Sequence, residues 1–240
     1  MKNAALEITK GKKTAILLGA TGLVGSHCLE QLLLHPNYRR VVVFTRRPTK
    51  RQHERLVEHV IDFDQLPAYR PYFKGEDLFL CLGTTMRKAG NRKAFFTVDY
   101  TYPYQAARMA ADNGVNQVLS VSSVGADADA FFFYSKVKGL LENALKEMPF
   151  WSVHLFRPSV LLGERNEHRW GEQLAGQLGR GIDYLTGGML TKYRPIEAEI
   201  VAKAMVNAAQ RLEEGIFTYP SHYLQQLAEE TYDGNSYLEK

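Results

Sequence analysis

The chain of 240 residues is 45% hydrophobic, 11% aromatic and 23% charged, which supplies one sizeable core and excludes disordered and fibrous classes. Thirty Lys and Arg against 26 Asp and Glu leave a net charge of +4, too mild to mark a nucleic-acid or membrane-surface protein. Two cysteines, Cys28 and Cys81, build no disulfide framework and no CxxC spacing, and the polar, basic stretch Met1 to Lys13 has no signal-peptide core, so a cytoplasmic protein with no membrane span is expected.

In chain order, the apolar patterning predicts a strand over Thr14–Gly19, a helix over Gly22–His35, and strands over Arg40–Thr45, Leu56–Ile61 and Asp77–Leu82. A helix over Ala94–Asn113, a strand over Gln117–Val121, a helix over Tyr134–Lys146, a strand over Ser152–Phe156 and a helix over Ile196–Leu212 complete the series. Strands alternating with helices imply βαβ units. The expected fold is α/β: a Rossmann-type, doubly wound, mostly parallel sheet with helices on both faces and a small C-terminal substrate lobe. No linker or repeat divides residues 1–240, so one domain is expected. Residues 157–195, rich in glycine, read as an irregular substrate-side lobe, and 213–240 as an irregular tail.

Directly after the first strand stands Gly19-Ala20-Thr21-Gly22-Leu23-Val24-Gly25, a GxxGxxG sequence opening an apolar helix. Gly19 suits a tight turn, Gly22 the close approach of backbone to a pyrophosphate, and Gly25 the packing of helix on sheet. Thr21, Leu23 and Val24 then lie where phosphates rest on a helix N-terminus. The plainer alternative is a tight strand-to-helix turn with no ligand.

At the end of the second strand, where an acidic residue would hold a ribose 2′-hydroxyl, the chain has Thr45-Arg46-Arg47. A guanidinium suits a 2′-phosphate, so NADP(H) is expected as cofactor, with Arg46 ahead of Arg47. Residues 39–58 hold seven Lys and Arg against two Glu, which concentrates the chain's positive charge beside this position. Asp62-Phe63, ending the third strand, could meet the adenine, although an Asp there is as readily a cap. Leu82-Gly83-Thr84-Thr85, ending the fourth, could line the dinucleotide.

Tyr134 and Lys138 form a YxxxK pair, i and i+4 on one helix face, eleven residues after Ser123 at the end of the fifth strand. A nearby cation favours a phenolate that exchanges a proton with a carbonyl or alcohol, and the carboxyl edge of an open α/β sheet is where such ligands bind. Phe131-Phe132-Phe133 reads as core packing or as an apolar pocket wall. His53 and His59 with Asp62 and Asp64 lack a metal-ligand spacing, so no metal is expected. Tyr184, Met189, Tyr193 and Arg194 are candidate substrate contacts or ordinary surface loop.

GATGLVG, the strand-end SSVG, YSKVK and Arg157-Pro158 together resemble the short-chain dehydrogenase/reductase superfamily in its atypical or extended branch. CLGTTMRKAG (81–90), VDYTY (98–102), SSVGADADAFFFYSKVKG (122–139) and LFRPSVLLGER (155–165) are similar to its Tat-interactive-protein-like oxidoreductases. The resemblance implies an NADP(H)-binding protein with a Ser-Tyr-Lys triad: Ser123 polarising a carbonyl, Tyr134 as general acid/base, Lys138 on the nicotinamide ribose, and Pro158 beside the carboxamide. Gly83-Thr84-Thr85 replaces the Asn-Asn-Ala-Gly of many reductases.

Two functions follow. One is an oxidoreductase moving hydride between NADP(H) and a small carbonyl or alcohol. The other is a redox-sensing regulator that binds NADP(H) and reports to a protein partner without turnover. Neither requires nucleic acid or a membrane, and either a monomer or a homodimer is compatible.

Overall fold

The computed structural model describes residues 13–163, 194–211 and 213–230. β1 (Lys13–Leu18), β2 (Tyr38–Thr45), β3 (Leu56–Val60), β4 (Asp77–Leu80), β5 (Gln117–Val121) and β6 (Ser152–Arg157) form a parallel sheet completed by β9 (Gly215–Pro220), in the order β3-β2-β1-β4-β5-β6-β9. Two short strands, β7 (Leu161–Leu162) and β8 (Ile196–Glu197), pair separately. The strand runs are almost continuously apolar because both sheet faces are covered.

Alternation within each strand sorts the core into two layers. Ala15, Leu17, Val41, Val43, Phe79 and Leu119 face one way, against α1 (Leu23–Leu34) and the two C-terminal helices, α6 (Ala198–Ala208) and α7 (Ser221–Glu229). Ile16, Leu18, Val42, Phe44, Leu78 and Leu80 face the other way, against α4 (Tyr102–Asp112) and α5 (Phe133–Lys146). Two short helices, α2 (Met86–Ala89) and α3 (Arg92–Phe96), lead from β4 into α4 through a π turn at Thr97–Thr101. Among the described residues no helix is long and apolar enough to cross a membrane.

At the amino edge of the sheet the strand starts bury a polar network. Lys13 Nζ lies 2.5 Å from Asp77 and donates to the Ala209 carbonyl, while Gln117 Nε2 donates to Asp77 at 2.7 Å and to Ala209 at 3.0 Å. The Tyr38 hydroxyl also donates to Asp77. His154 closes the network: one ring nitrogen lies 2.9 Å from Ser152 Oγ and the other 2.9 Å from the Tyr219 hydroxyl. The network ties the end of α6 to six strands at the edge opposite the glycine loop.

Two expectations are corrected. The tail read as irregular over 213–240 contains β9 and α7: Leu224, Leu227 and Ala228 are buried, and Phe217 and Tyr219 stack on the His154 ring at 5.2 and 5.9 Å. Phe131 and Phe132 are not core, being 95% and 73% exposed. The lobe expected over 157–195, with Tyr184, Met189 and Tyr193, lies mostly outside the described residues; the exposed Arg194 accepts a hydrogen bond from Ser159 through its carbonyl.

Candidate active site

The carboxyl ends of β1, β4, β5 and β6 converge on one edge. Gly19 adopts φ +88°, and a Cβ there would stand 2.4 Å from the Cys81 carbonyl oxygen, so only glycine lets β1 turn beside β4. Gly22 donates to the Gly19 carbonyl at 2.8 Å and begins α1 with no side-chain cap. Gly25 presses on the same turn: a Cβ would lie 2.0 Å from the Gly19 oxygen. The N–H groups that open a helix lack intrahelical partners, so the first turn at Leu23 and Val24, behind exposed Thr21, presents donors suited to phosphate.

β2 delivers Arg46 and Arg47 into solvent, and the Thr45 hydroxyl fixes the bend between them by donating to the Arg47 carbonyl at 2.8 Å. The rest of the basic stretch is partly committed to structure. Arg55 donates to the carbonyls of Leu33, His35 and Tyr38 at 3.1 to 3.3 Å, satisfying the end of α1, and Arg51 faces Glu30 at 3.8 Å.

The end of β3 leads into Asp62, whose side chain is exposed. Asp62 accepts the Asp64 N–H at 3.0 Å, capping a 3₁₀ turn over Phe63–Tyr72. Phe63 is buried under Tyr102, 5.3 Å between ring centroids. The Tyr102 hydroxyl donates to Asp64 at 2.6 Å and is pushed up to about 12 by burial and by that carboxylate. His53 accepts the Arg55 N–H and His59 stacks on Phe44 at 5.1 Å, so these histidines serve local packing.

The remaining residues surround the start of α5. Lys138 is buried, its Nζ 2.8 Å from Asp99 Oδ1. Burial opposes its charge, but the Asp99 carboxylate, Tyr134 and Glu142 together outweigh it, and the lysine pKa stands above its ordinary value. Asp99 Oδ2 accepts the Thr84 N–H at 2.8 Å, so one carboxylate holds both Lys138 and the turn after β4. A Cβ on Gly83 would lie 3.7 Å from the lysine nitrogen, which places the Leu82–Thr85 turn directly over the ion pair. Thr85 itself caps α2.

The two serines after β5 diverge. Ser122 donates to Glu142 at 2.5 Å, and Arg157 binds Glu142 through Nε at 2.9 Å and Nη2 at 2.5 Å. Ser123 is 7% exposed, and its hydroxyl has no hydrogen-bond partner among the described residues. A buried hydroxyl left unpaired costs free energy unless a ligand or water completes it. Pro158 accepts the Val124 N–H at 2.9 Å and so stands beside this turn. Tyr134 is 41% exposed, its ring 5.8 Å from that of Phe95. Asp99, Glu142 and the Arg157 pair escape motif reading; the available signal for Asp99 was a carboxylate at i+4 from Phe95 in the buried stripe of a helix.

A glycine turn at the carboxyl edge of a parallel sheet, followed by a buried serine, a tyrosine and a lysine in this order, defines the short-chain dehydrogenase/reductase class. Residues 15–132 match the NAD dependent epimerase/dehydratase family. The protein named HTATIP2 from Rattus norvegicus is 38% identical over 167 residues, covering 68% of this chain and 69% of that one. Protein FMP52, mitochondrial, from Candida albicans is 32% identical over 206 residues, covering 82% and 88%. The chain therefore belongs to the atypical, extended branch of the short-chain dehydrogenase/reductase superfamily, among its Tat-interactive-protein-like members. The fold is shared with the Bordetella bronchiseptica enzyme WbmH in complex with NAD+, at TM-score 0.66 and 15% identity, covering 87% of this chain and 76% of that one.

Relatives from Candida albicans, Aspergillus terreus and Aspergillus niger are named as mitochondrial proteins. They overturn the cytoplasmic expectation. Unpaired thiols fit any reducing compartment and discriminate none.

Proposed function

We propose that the protein is an NADP(H)-dependent oxidoreductase acting on a small carbonyl or alcohol, with Ser123, Tyr134 and Lys138 as its catalytic residues. The observation that carries this reading is the buried, unpaired Ser123 hydroxyl on the same edge as the buried Lys138 ammonium. The glycine cradle of Gly19, Gly22 and Gly25 and the open first turn of α1 fit a pyrophosphate, and the solvent-facing Arg46 and Arg47 fit a 2′-phosphate. Lys138, with the turn Leu82–Thr85 above it, would hold the nicotinamide ribose, and Pro158 would stand beside the carboxamide.

When bound, the dinucleotide supplies or accepts the hydride. Ser123 donates a hydrogen bond to the substrate oxygen, and Tyr134 delivers its phenolic proton to that oxygen in reduction or removes the alcohol proton in oxidation.

Tyr134→Phe should lower turnover of a carbonyl panel, followed by NADPH absorbance, about 10²- to 10⁴-fold with NADPH affinity unchanged. Arg46→Ser should weaken NADPH about tenfold to a hundredfold and leave NADH as before. Full turnover in the tyrosine variant, or equal wild-type affinity for the two cofactors, would sink the reading.

A second reading, a redox-sensing regulator without turnover, is favoured by one observation: Phe131 and Phe132 are exposed immediately before Tyr134, an apolar surface suited to a protein partner. Capture of a partner that is indifferent to NADPH would count against it.

A further inference from the structure

The chain's two cysteines, distant in sequence, meet behind the glycine turn. Cys28 lies on the inner face of α1, one turn after Gly25, and is fully buried. Cys81 follows β4 and is half-buried. Side chains alternate along a strand, so Cys81 shares the sheet face of Phe79, the face that α1 covers. The two sulfurs are within hydrogen-bonding reach of each other.

The backbone around them has no slack. Cys81 donates its N–H to the Leu18 carbonyl at 2.9 Å, and its own carbonyl oxygen would lie 2.4 Å from a Cβ on Gly19. A Cβ on Gly25 would in turn lie 2.0 Å from the Gly19 oxygen. Close contacts thus run from α1 through the glycine cradle to β4. A disulfide holds its sulfurs about 2.05 Å apart, closer than any contact between thiols. Closing one here draws α1 towards β4 and shifts the first helical turn, whose N–H groups form the phosphate position.

We propose that Cys28 and Cys81 form a redox-active dithiol, oxidised by a peroxide to a disulfide that distorts the glycine cradle and weakens dinucleotide binding. The half-buried Cys81 sulfur attacks one peroxide oxygen: the S–O bond forms, the O–O bond breaks, and the departing hydroxide leaves as water with the thiol proton. The Cys28 sulfur then attacks Cys81: the S–S bond forms, the S–O bond breaks, and hydroxide leaves as a second water with the Cys28 proton. One peroxide is reduced to two waters as the two thiols lose two electrons. Burial pushes the Cys28 thiol well above its ordinary range, so it keeps its proton and stays unreactive until the neighbouring Cys81 is oxidised. The effect on the dinucleotide rests on the oxidoreductase reading above; the disulfide itself does not.

Hydrogen peroxide added to the reduced, cofactor-free protein, followed by maleimide capture of the remaining thiols and intact mass, tests the dithiol. The wild type should lose both thiols together and two hydrogens in mass, consume one peroxide per chain, and recover in dithiothreitol. Peptide mapping should join Cys28 to Cys81 within one chain. Cys28→Ala should instead gain oxygen at Cys81, and Cys81→Ala should keep its buried Cys28 thiol. A wild type that keeps both thiols, gains oxygen without the crosslink, or joins two chains overturns the proposal, and none of these outcomes needs a variant to fold. NADPH, titrated by fluorescence, should bind the disulfide form about tenfold or more weakly than the reduced form, with affinity restored by dithiothreitol. Equal affinity in the two forms overturns the coupling to the cradle. If the reduced protein binds no NADPH, the oxidoreductase reading fails while the crosslink still decides the dithiol.

Discussion

His154 shows how far a single buried side chain can carry the behaviour of the protein with pH. It is fully buried, held between Ser152 and Tyr219, and burial with the nearby Arg211 and Lys13 charges pushes it down to about 3. An unfolded histidine titrates near ~6.5, so between these values the unfolded chain binds a proton that the folded one refuses. Stability from this residue is full above ~6.5 and falls as the pH drops towards 3, by at most about 1.4 kcal/mol per pH unit. Melting temperatures measured between pH 7 and 4 should decline in the wild type and decline less steeply in His154→Gln; parallel slopes would remove His154 as the cause. At this scale the sequence marked by spacing alone the turn glycine Gly19 and the Tyr134–Lys138 pair on one helix face. It concealed those whose role depends on what packs against them. Ser122 and Ser123 are adjacent and alike in sequence, yet one is bound to Glu142 and the other is unpaired. Asp99 is one acid among many until its depth and its lysine are seen.

Elements set the distances between these residues. α5 carries Tyr134 and Lys138, and its height above the sheet is fixed by Gly139: a Cβ there would stand 2.1 Å from the Asp127 carbonyl carbon, in the loop that follows Ser123. Gly139→Ala must lift the helix or push the loop, and both alter the spacing between Ser123 and Tyr134. The variant should lose about tenfold to a hundredfold in kcat, the scale on which small misplacements act. Normal kcat would show that α5 tolerates the shift. Strands buried on both faces were legible as apolar runs, and their observed limits lie close to the expected ones. β9 was not, because it is an edge strand with strand pairing to β6 alone and with Ile216 54% exposed. The π turn was also illegible: residues 94–113 carry one continuous helical pattern, and the widening at Asp99 answers to tertiary contacts.

Across the whole molecule the two sheet edges divide the work: polar ties at the amino edge, candidate chemistry at the carboxyl edge. The positive charge is equally uneven, gathered on β2 and its connection to β3, where Arg55 and Arg51 are engaged but Arg46 and Arg47 face solvent. Raising salt from 0.05 to about 0.5 M screens exposed charges, so NADPH affinity should fall several-fold while NADH affinity holds; equal salt responses would argue against a 2′-phosphate at this patch. A further consequence concerns synthesis. β9 pairs with β6, yet residues 158–214 separate them in the chain, so while the ribosome is still translating that stretch the edge of β6 stands open and His154 lacks its Tyr219 partner. An open strand edge invites pairing with another chain, and the nascent protein must be shielded along β6 until residue 220 has emerged.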